Sequence, residues 1–272
     1  MASKTTLFDE DWVKSTQATA DKKSWAYDAL QAFDTTGGIY LSSLRLWFNE
    51  FPLKPKQKKA LAVRLESTKN EDHLGGVNEL AWWAFLRKER FEVSPIPTGA
   101  SPTPDFRITA PSEFFAEVST LNVSKQDKAK FEAGDSVELD HSEALRRIVG
   151  KFTSEKHQQL SYATGQSKPC VLVLFDYTLW SGFGTLLYRF LGDYLLGKQG
   201  GFRELPTELS ALVYIERKCI YGHIGISRLR SAAYYNPNAK FALPANTFSS
   251  LNQFWCQMVS AESKSTDSWI WL

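Results

Sequence analysis

Sulfur and imidazole are scarce in this chain, with three cysteines and four histidines spread over 272 residues. Cys170, Cys219 and Cys256 stand far apart and form no C-x-x-C pair, so neither a zinc site nor a disulfide framework is suggested. His73, His141, His157 and His223 make no H-x-x-x-H spacing, and no G-x-S-x-G elbow marks a serine hydrolase. The short glycine pairs at Ser181-Gly-Phe-Gly-Thr and Gly222-His-Ile-Gly lack the strand-to-helix context of a phosphate loop and read as turns. Long apolar runs are missing too. No window approaches the ~20 apolar residues of a spanning helix, and MASKTTLFDEDWVKS has no apolar stretch of the secretory kind, so a soluble, cytoplasmic address is expected. A dominant charge is also absent: the net +2 neither demands nor forbids a nucleic-acid partner, and a local patch would matter more than the sum.

What the chain does have is a folded composition, 43% hydrophobic with 14% aromatic and 23% charged, which excludes a disordered class. Its length suffices for one large core, or one core with a smaller helical lobe. Helical spacing of apolar residues is expected from Trp25 to Phe33, from Leu41 to Phe51 and from Pro55 to Arg64. The last of these opens on Lys54-Pro-Lys-Gln-Lys-Lys, the most basic stretch, which reads as a solvated helix start or as a phosphate-facing surface. Another helix is expected from Gly76 to Arg90, then a strand at Phe91-Glu-Val and a proline-rich connection through Pro104. Phe106 to Thr109 and Phe114 to Thr120 read as a hairpin. Residues 122–140 read as loop or short helix, and Ser142 to Tyr162 as one amphipathic helix with Ser142 as its cap. Val171 to Phe175 reads as a doubly buried strand. A helix at 185–196, strands at 211–216 and 227–235, and a closing helix from Phe248 to Val259 complete an α/β pattern.

Three acids stand out because each sits in or beside an apolar run, where an unpartnered charge is costly. They are Glu79 in Asn78-Glu-Leu, Asp105 after Pro104, and Glu117 in Phe114-Phe-Ala-Glu-Val-Ser-Thr. Period-two alternation puts Glu117 with Phe115 and Ser119 on one strand face. If the hairpin pairs, Asp105 and Glu117 converge, and a divalent cation is the simplest way to keep two adjacent carboxylates ionised. Taken singly, Glu79 also reads as a surface acid near a helix start, Asp105 as a turn residue, Glu117 as a solvent-facing strand position and Lys156 as a solvated helix lysine.

Pro104-Asp105, an eleven-residue spacer, Glu117 and the preceding helix acid Glu79 resemble the signature of the PD-(D/E)XK nuclease, or restriction-endonuclease-like, superfamily. The resemblance spans roughly residues 75–180. It implies an α/β restriction-endonuclease-like core with a central mixed β-sheet flanked by helices, here over 71–272, preceded by a helical N-terminal region over 1–70. The position where the superfamily holds a lysine is Ser119. Some branches carry that lysine on the following helix, and Lys156-His-Gln-Gln159 resembles their motif. Lys156 is therefore the expected substitute, with Gln159 beside it and Lys151 and Lys125 as fallbacks. The resemblance implies Mg2+ or Mn2+ held by Asp105, Glu117, the Val118 carbonyl and Glu79, and hydrolysis of DNA by endo- or exonucleolytic attack, in a homodimer or with a partner protein. The alternatives are a scaffold of the same fold with a decayed site, and an interaction module using the aromatic tail Trp269-Ile-Trp-Leu272, which also reads as a packed last strand.

Overall fold

A computed structural model describes residues 6–19, 37–97, 101–136, 140–177, 186–196, 201–255, 258–259 and 269–272. Among these described residues are eight α-helices: α1 (Glu10–Thr19), α2 (Gly37–Glu50), α3 (Pro55–Leu65), α4 (Asn70–Lys88), α5 (Lys125–Ala133), α6 (His141–Gly150), α7 (His157–Gly165) and α8 (Leu186–Leu196). Local signals explain several of their ends. Pro55 opens α3, where its fixed φ suits the first turn and its missing N–H costs nothing. Glu71 and Asp72 sit in the first turn of α4 and Arg87 and Lys88 in its last, each matching the helix dipole.

The strands are β1 (Glu92–Pro95), β2 (Phe106–Ala110), β3 (Phe114–Asn122), β4 (Cys170–Tyr177), β5 (Ala211–Ile220), β6 (His223–Ser227), β7 (Ala232–Tyr235), β8 (Asn252–Trp255), β9 (Met258–Val259) and β10 (Trp269–Trp271). They form one mixed sheet in the order β1-β2-β3-β4-β5-β7-β8-β9, with β6 pairing both β5 and β10. The centre is parallel: Glu117 on β3 lies level with Leu172 on β4, and Leu172 level with Leu212 on β5. Helices α5, α6 and α7 lie between β3 and β4, and α8 lies between β4 and β5.

Both faces of this centre are covered. Phe114, Ala116, Val118, Val171, Val173 and Val213 pack with residues of α2, α3 and α4. Phe115, Leu121, Leu172, Leu174 and Leu212 pack with Ile148, Leu160 and Leu191 of α6, α7 and α8. Double coverage is why β4 reads as an uninterrupted apolar run, with every residue but its last buried. Cys170 opens that strand as a fully buried thiol whose N–H donates to Ser210 Oγ at 2.9 Å. Cys219, by contrast, is exposed. The helices before residue 70 share one continuous core with α4 and the sheet, since Leu44, Leu61 and Leu65 pack in the cluster that holds Val77, Trp82 and Phe114.

Four sequence expectations need correction. The single helix over 142–162 is two helices joined by a π-helical turn at Lys151–Glu155, and its cap is Asp140, whose carboxylate accepts from the Ser142 and Glu143 N–H groups. The strand over 227–235 is split between the end of β6 and β7. The acid Glu79 lies mid-helix, because α4 starts at Asn70, six residues earlier than the apolar spacing suggests. The closing helix over 248–259 is a turn followed by strands: Phe254 stacks on Tyr234 at 5.2 Å and Trp255 on Tyr235 at 5.0 Å, across the β7–β8 pair. Asn252 secures that strand by donating from Nδ2 to the Arg228 carbonyl at 2.9 Å. Aromatic pairing between strands overrides the helix-like spacing of Phe248, Leu251 and Phe254. Trp269–Trp271 is a paired strand, as one of its two readings had it. The expected helix over 25–33 and the turn at 181–185 lie outside the described residues, as does Cys256.

Candidate active site

The antiparallel β2–β3 hairpin sets Phe106 opposite Ala116 and Arg107 opposite Phe115, so Asp105, one residue before the first pair, falls beside Glu117. Two bonds hold it there. The Asp105 carbonyl accepts the Ile96 N–H at 2.8 Å, and its carboxylate Oδ2 accepts the Val118 N–H at 2.8 Å. Asp105 is thus tied to β3 through the amide of Val118, whose carbonyl was the expected metal ligand.

Glu117 is 3% exposed on the face of β3 that looks toward α6 and α7. Lys156 reaches it from that side, with Nζ 2.6 Å from Glu117 Oε1. The π turn makes this reach: Lys156 is the residue between the turn and α7, with φ −110° and ψ 8°, and its N–H donates to the Lys151 carbonyl at 3.0 Å. Such turns often mark functional positions because they re-aim the side chain that follows. Lys151 is paired with Glu155 instead, and Lys125 lies at the start of α5. Gln159, one helical turn beyond Lys156, lines the same cleft.

The other oxygen, Glu117 Oε2, is buried without a hydrogen-bond partner. Leaving such an acceptor unsatisfied costs about 1–3 kcal/mol. Burial, then Glu117 and Glu79, hold the Asp105 carboxyl well above the usual carboxylate range, with the Val118 N–H and Lys156 only partly opposing. Burial likewise raises Glu117 despite Lys156. For Lys156 burial works against the charge, but Glu117 and Asp105 outweigh it and keep the ammonium charged.

Glu79 is placed differently from the other two acids. Its carboxylate takes a two-pronged bond from Arg64 on α3, Nη1 to Oε1 and Nη2 to Oε2, both at 2.6 Å. Among the described residues no three His, Cys, Asp or Glu side chains are grouped to hold a metal ion. With Glu79 turned onto Arg64, the acids offered to a cation are Asp105 and Glu117. Two adjacent carboxylates, one with an orphaned oxygen, are the hard-oxygen donor set that a divalent cation would take.

Asp105, Glu117, Glu79, Lys156, Gln159 and Arg64 all border one cleft of about 600 Å³. In the sequence Arg64 marks only the end of a helix. The signal lay in the spacing Lys56, Ala60, Arg64, which puts a second cation on one helix face. A polar relay with no sequence signal backs the cleft: Arg217 Nε donates to Asn78 Oδ1 at 2.9 Å, and Asn78 Nδ2 to Thr120 Oγ1 at 2.8 Å, fixing a cleft-wall hydroxyl.

Fold and site together define a mixed α/β protein with a cleft that joins two buried carboxylates, a lysine from a π turn and an arginine clamped by a third acid. No protein-family model, no curated protein and no solved structure matches this chain.

Proposed function

We propose that the chain is a divalent-metal-dependent nuclease that hydrolyses phosphodiester bonds in DNA, on a restriction-endonuclease-like core whose lysine has moved to the helix after the acidic strand. The observation that carries this reading is the meeting of Lys156 and Glu117, 39 residues apart, beside Asp105 in an open cleft. Asp105 and Glu117 would hold Mg2+ or Mn2+, which when bound supplies the charge that keeps both carboxylates ionised and polarises the phosphate. Lys156 is set to hold and orient the attacking water by hydrogen bonding, with Gln159 as a second polar contact. Water adds to phosphorus as the bond to the leaving sugar oxygen breaks, and no covalent enzyme intermediate is needed.

The test is a metal-dependent cleavage assay on single- and double-stranded DNA and RNA, comparing wild type with Asp105→Asn and Glu117→Gln. Each substitution should lower cleavage at least ~100-fold, the scale lost when one electrostatic contributor to a transition state is removed. Unchanged cleavage in either variant sinks the assignment. A second reading, a nucleic-acid-binding or protein-interaction scaffold with a decayed site, draws on the direct Lys156–Glu117 ion pair and on Glu79 being occupied by Arg64. Well-folded wild type that cleaves nothing in Mg2+ or Mn2+ would favour it.

A further inference from the structure

A second hollow of about 470 Å³ adjoins the catalytic cleft, and Arg64, Glu79, Asp105 and Ile96 border both. Its outer wall is one face of α3, where Lys56, Gln57 and Ala60 precede Arg64 at helical spacing. Lys56 and Arg64 are eight residues apart, about 12 Å along the helix. Apolar side chains line it too: Leu53, Pro95 and Ile96 are half-buried, and Phe51 and Phe106 are buried. A cationic helix face and apolar side chains, bordered by Asp105, match the two halves of a nucleotide, phosphate and base.

We propose that this hollow is a subsite for an unpaired nucleotide next to the scissile phosphate. Arg64 would contact the phosphate shared by the two hollows, and Lys56 the next one along. The inference rests on the nuclease reading and adds the substrate class: single strands, or the unpaired ends and flaps of duplexes. A base within a duplex must give up its stacking and pairing before its ring can enter a concave apolar pocket, whereas an unpaired base can bury its face there without that cost. The volume falls within the range of pockets that enclose small ligands. Glu79 then acts as a positioning residue, since its two-pronged bond fixes the direction of the Arg64 guanidinium.

The test uses fluorescence anisotropy of a labelled single-stranded oligodeoxynucleotide and of its blunt duplex, with Ca2+ replacing Mg2+ to suppress turnover. Ala60 is exposed, so Ala60→Trp fills the hollow without disturbing the core. Wild type should bind the single strand at least tenfold tighter than the duplex, and Ala60→Trp should erase that preference at unchanged Tm. Lys56→Ala should weaken binding severalfold and lower the salt slope by about 0.7, one phosphate contact on a single strand. Lys59→Ala, the same charge change at an exposed α3 position outside the hollow, should alter binding less than twofold. Duplex preference, or full single-strand binding by Ala60→Trp, overturns the subsite while leaving the acid-pair assignment to its own cleavage test. If wild type binds no nucleic acid at all, the nuclease reading falls and takes the subsite with it.

Discussion

His73 shows how a single buried ring can set the acid limit of this fold. A carbonyl only accepts, so Nδ1 must donate to the Leu65 carbonyl at 2.6 Å, which leaves Nε2 to accept from the Tyr40 hydroxyl at 2.9 Å. Burial, reinforced by Arg217 and partly opposed by the Leu65 bond, pushes the folded pKa down to about 4 from the ordinary 6.5. The unfolded chain therefore takes up the proton first. Stability should fall as pH drops from about 6.5 toward 4 and level off below, a loss on the order of 3 kcal/mol from this residue. Denaturant titrations at several pH values should show a shallower fall in His73→Gln; equal slopes would refute it. Glu79 supports a second expectation. Since Arg64 occupies both its oxygens, Glu79→Gln should change Mg2+ affinity less than threefold by calorimetry, whereas Asp105→Asn should abolish binding. At this scale Asp105 and Glu117 were legible, because an acid in an apolar run asks for a partner. Arg64 was not, because a terminal helix cation normally needs none.

Among elements, the π turn between α6 and α7 decides where the lysine goes. A regular α-helix advances 100° per residue, so deleting exposed Ser154 would restore regular winding and swing Lys156 away from Glu117. Cleavage should drop about 100-fold with little change in far-UV circular dichroism. Placing the cation back on the strand should compensate: Ser119 shares the Glu117 face of β3, so Lys156→Ala with Ser119→Lys should recover part of the activity lost in Lys156→Ala alone. No recovery in a folded double variant would mean that the lysine acts through the turn's geometry rather than its charge. The sequence showed that a helix follows β3 but not that it contains an extra-residue turn, since such a turn leaves the apolar periodicity almost intact. The same limit explains the mistaken closing helix. Phe248, Leu251 and Phe254 repeat at helical steps, yet Phe248 packs on Trp82 of α4 and Phe254 on Tyr234 of β7, out of reach of any local pattern.

For the molecule as a whole, the α/β class and the doubly buried β4 followed from alternating apolar runs, whereas the sheet order did not. Strand order depends on contacts between distant segments, such as Phe248 seated 5.7 Å from Trp82, 6.1 Å from Phe91 and 5.9 Å from Phe114. These rings tie the C-terminal third to α4 and to the acidic hairpin. Phe248→Ala should cost about 3–5 kcal/mol and lower Tm by roughly 10 °C, read by calorimetry. The parallel centre also carries its own chemical clock. Cys219 faces solvent, while Cys170 is sealed at the head of β4. A maleimide reagent should therefore modify Cys219 first, slowed by the burial that raises its thiol, and reach Cys170 only when β4 leaves the sheet. Pulse alkylation followed by mass spectrometry would then time the opening of the strand beside Glu117 without any introduced probe.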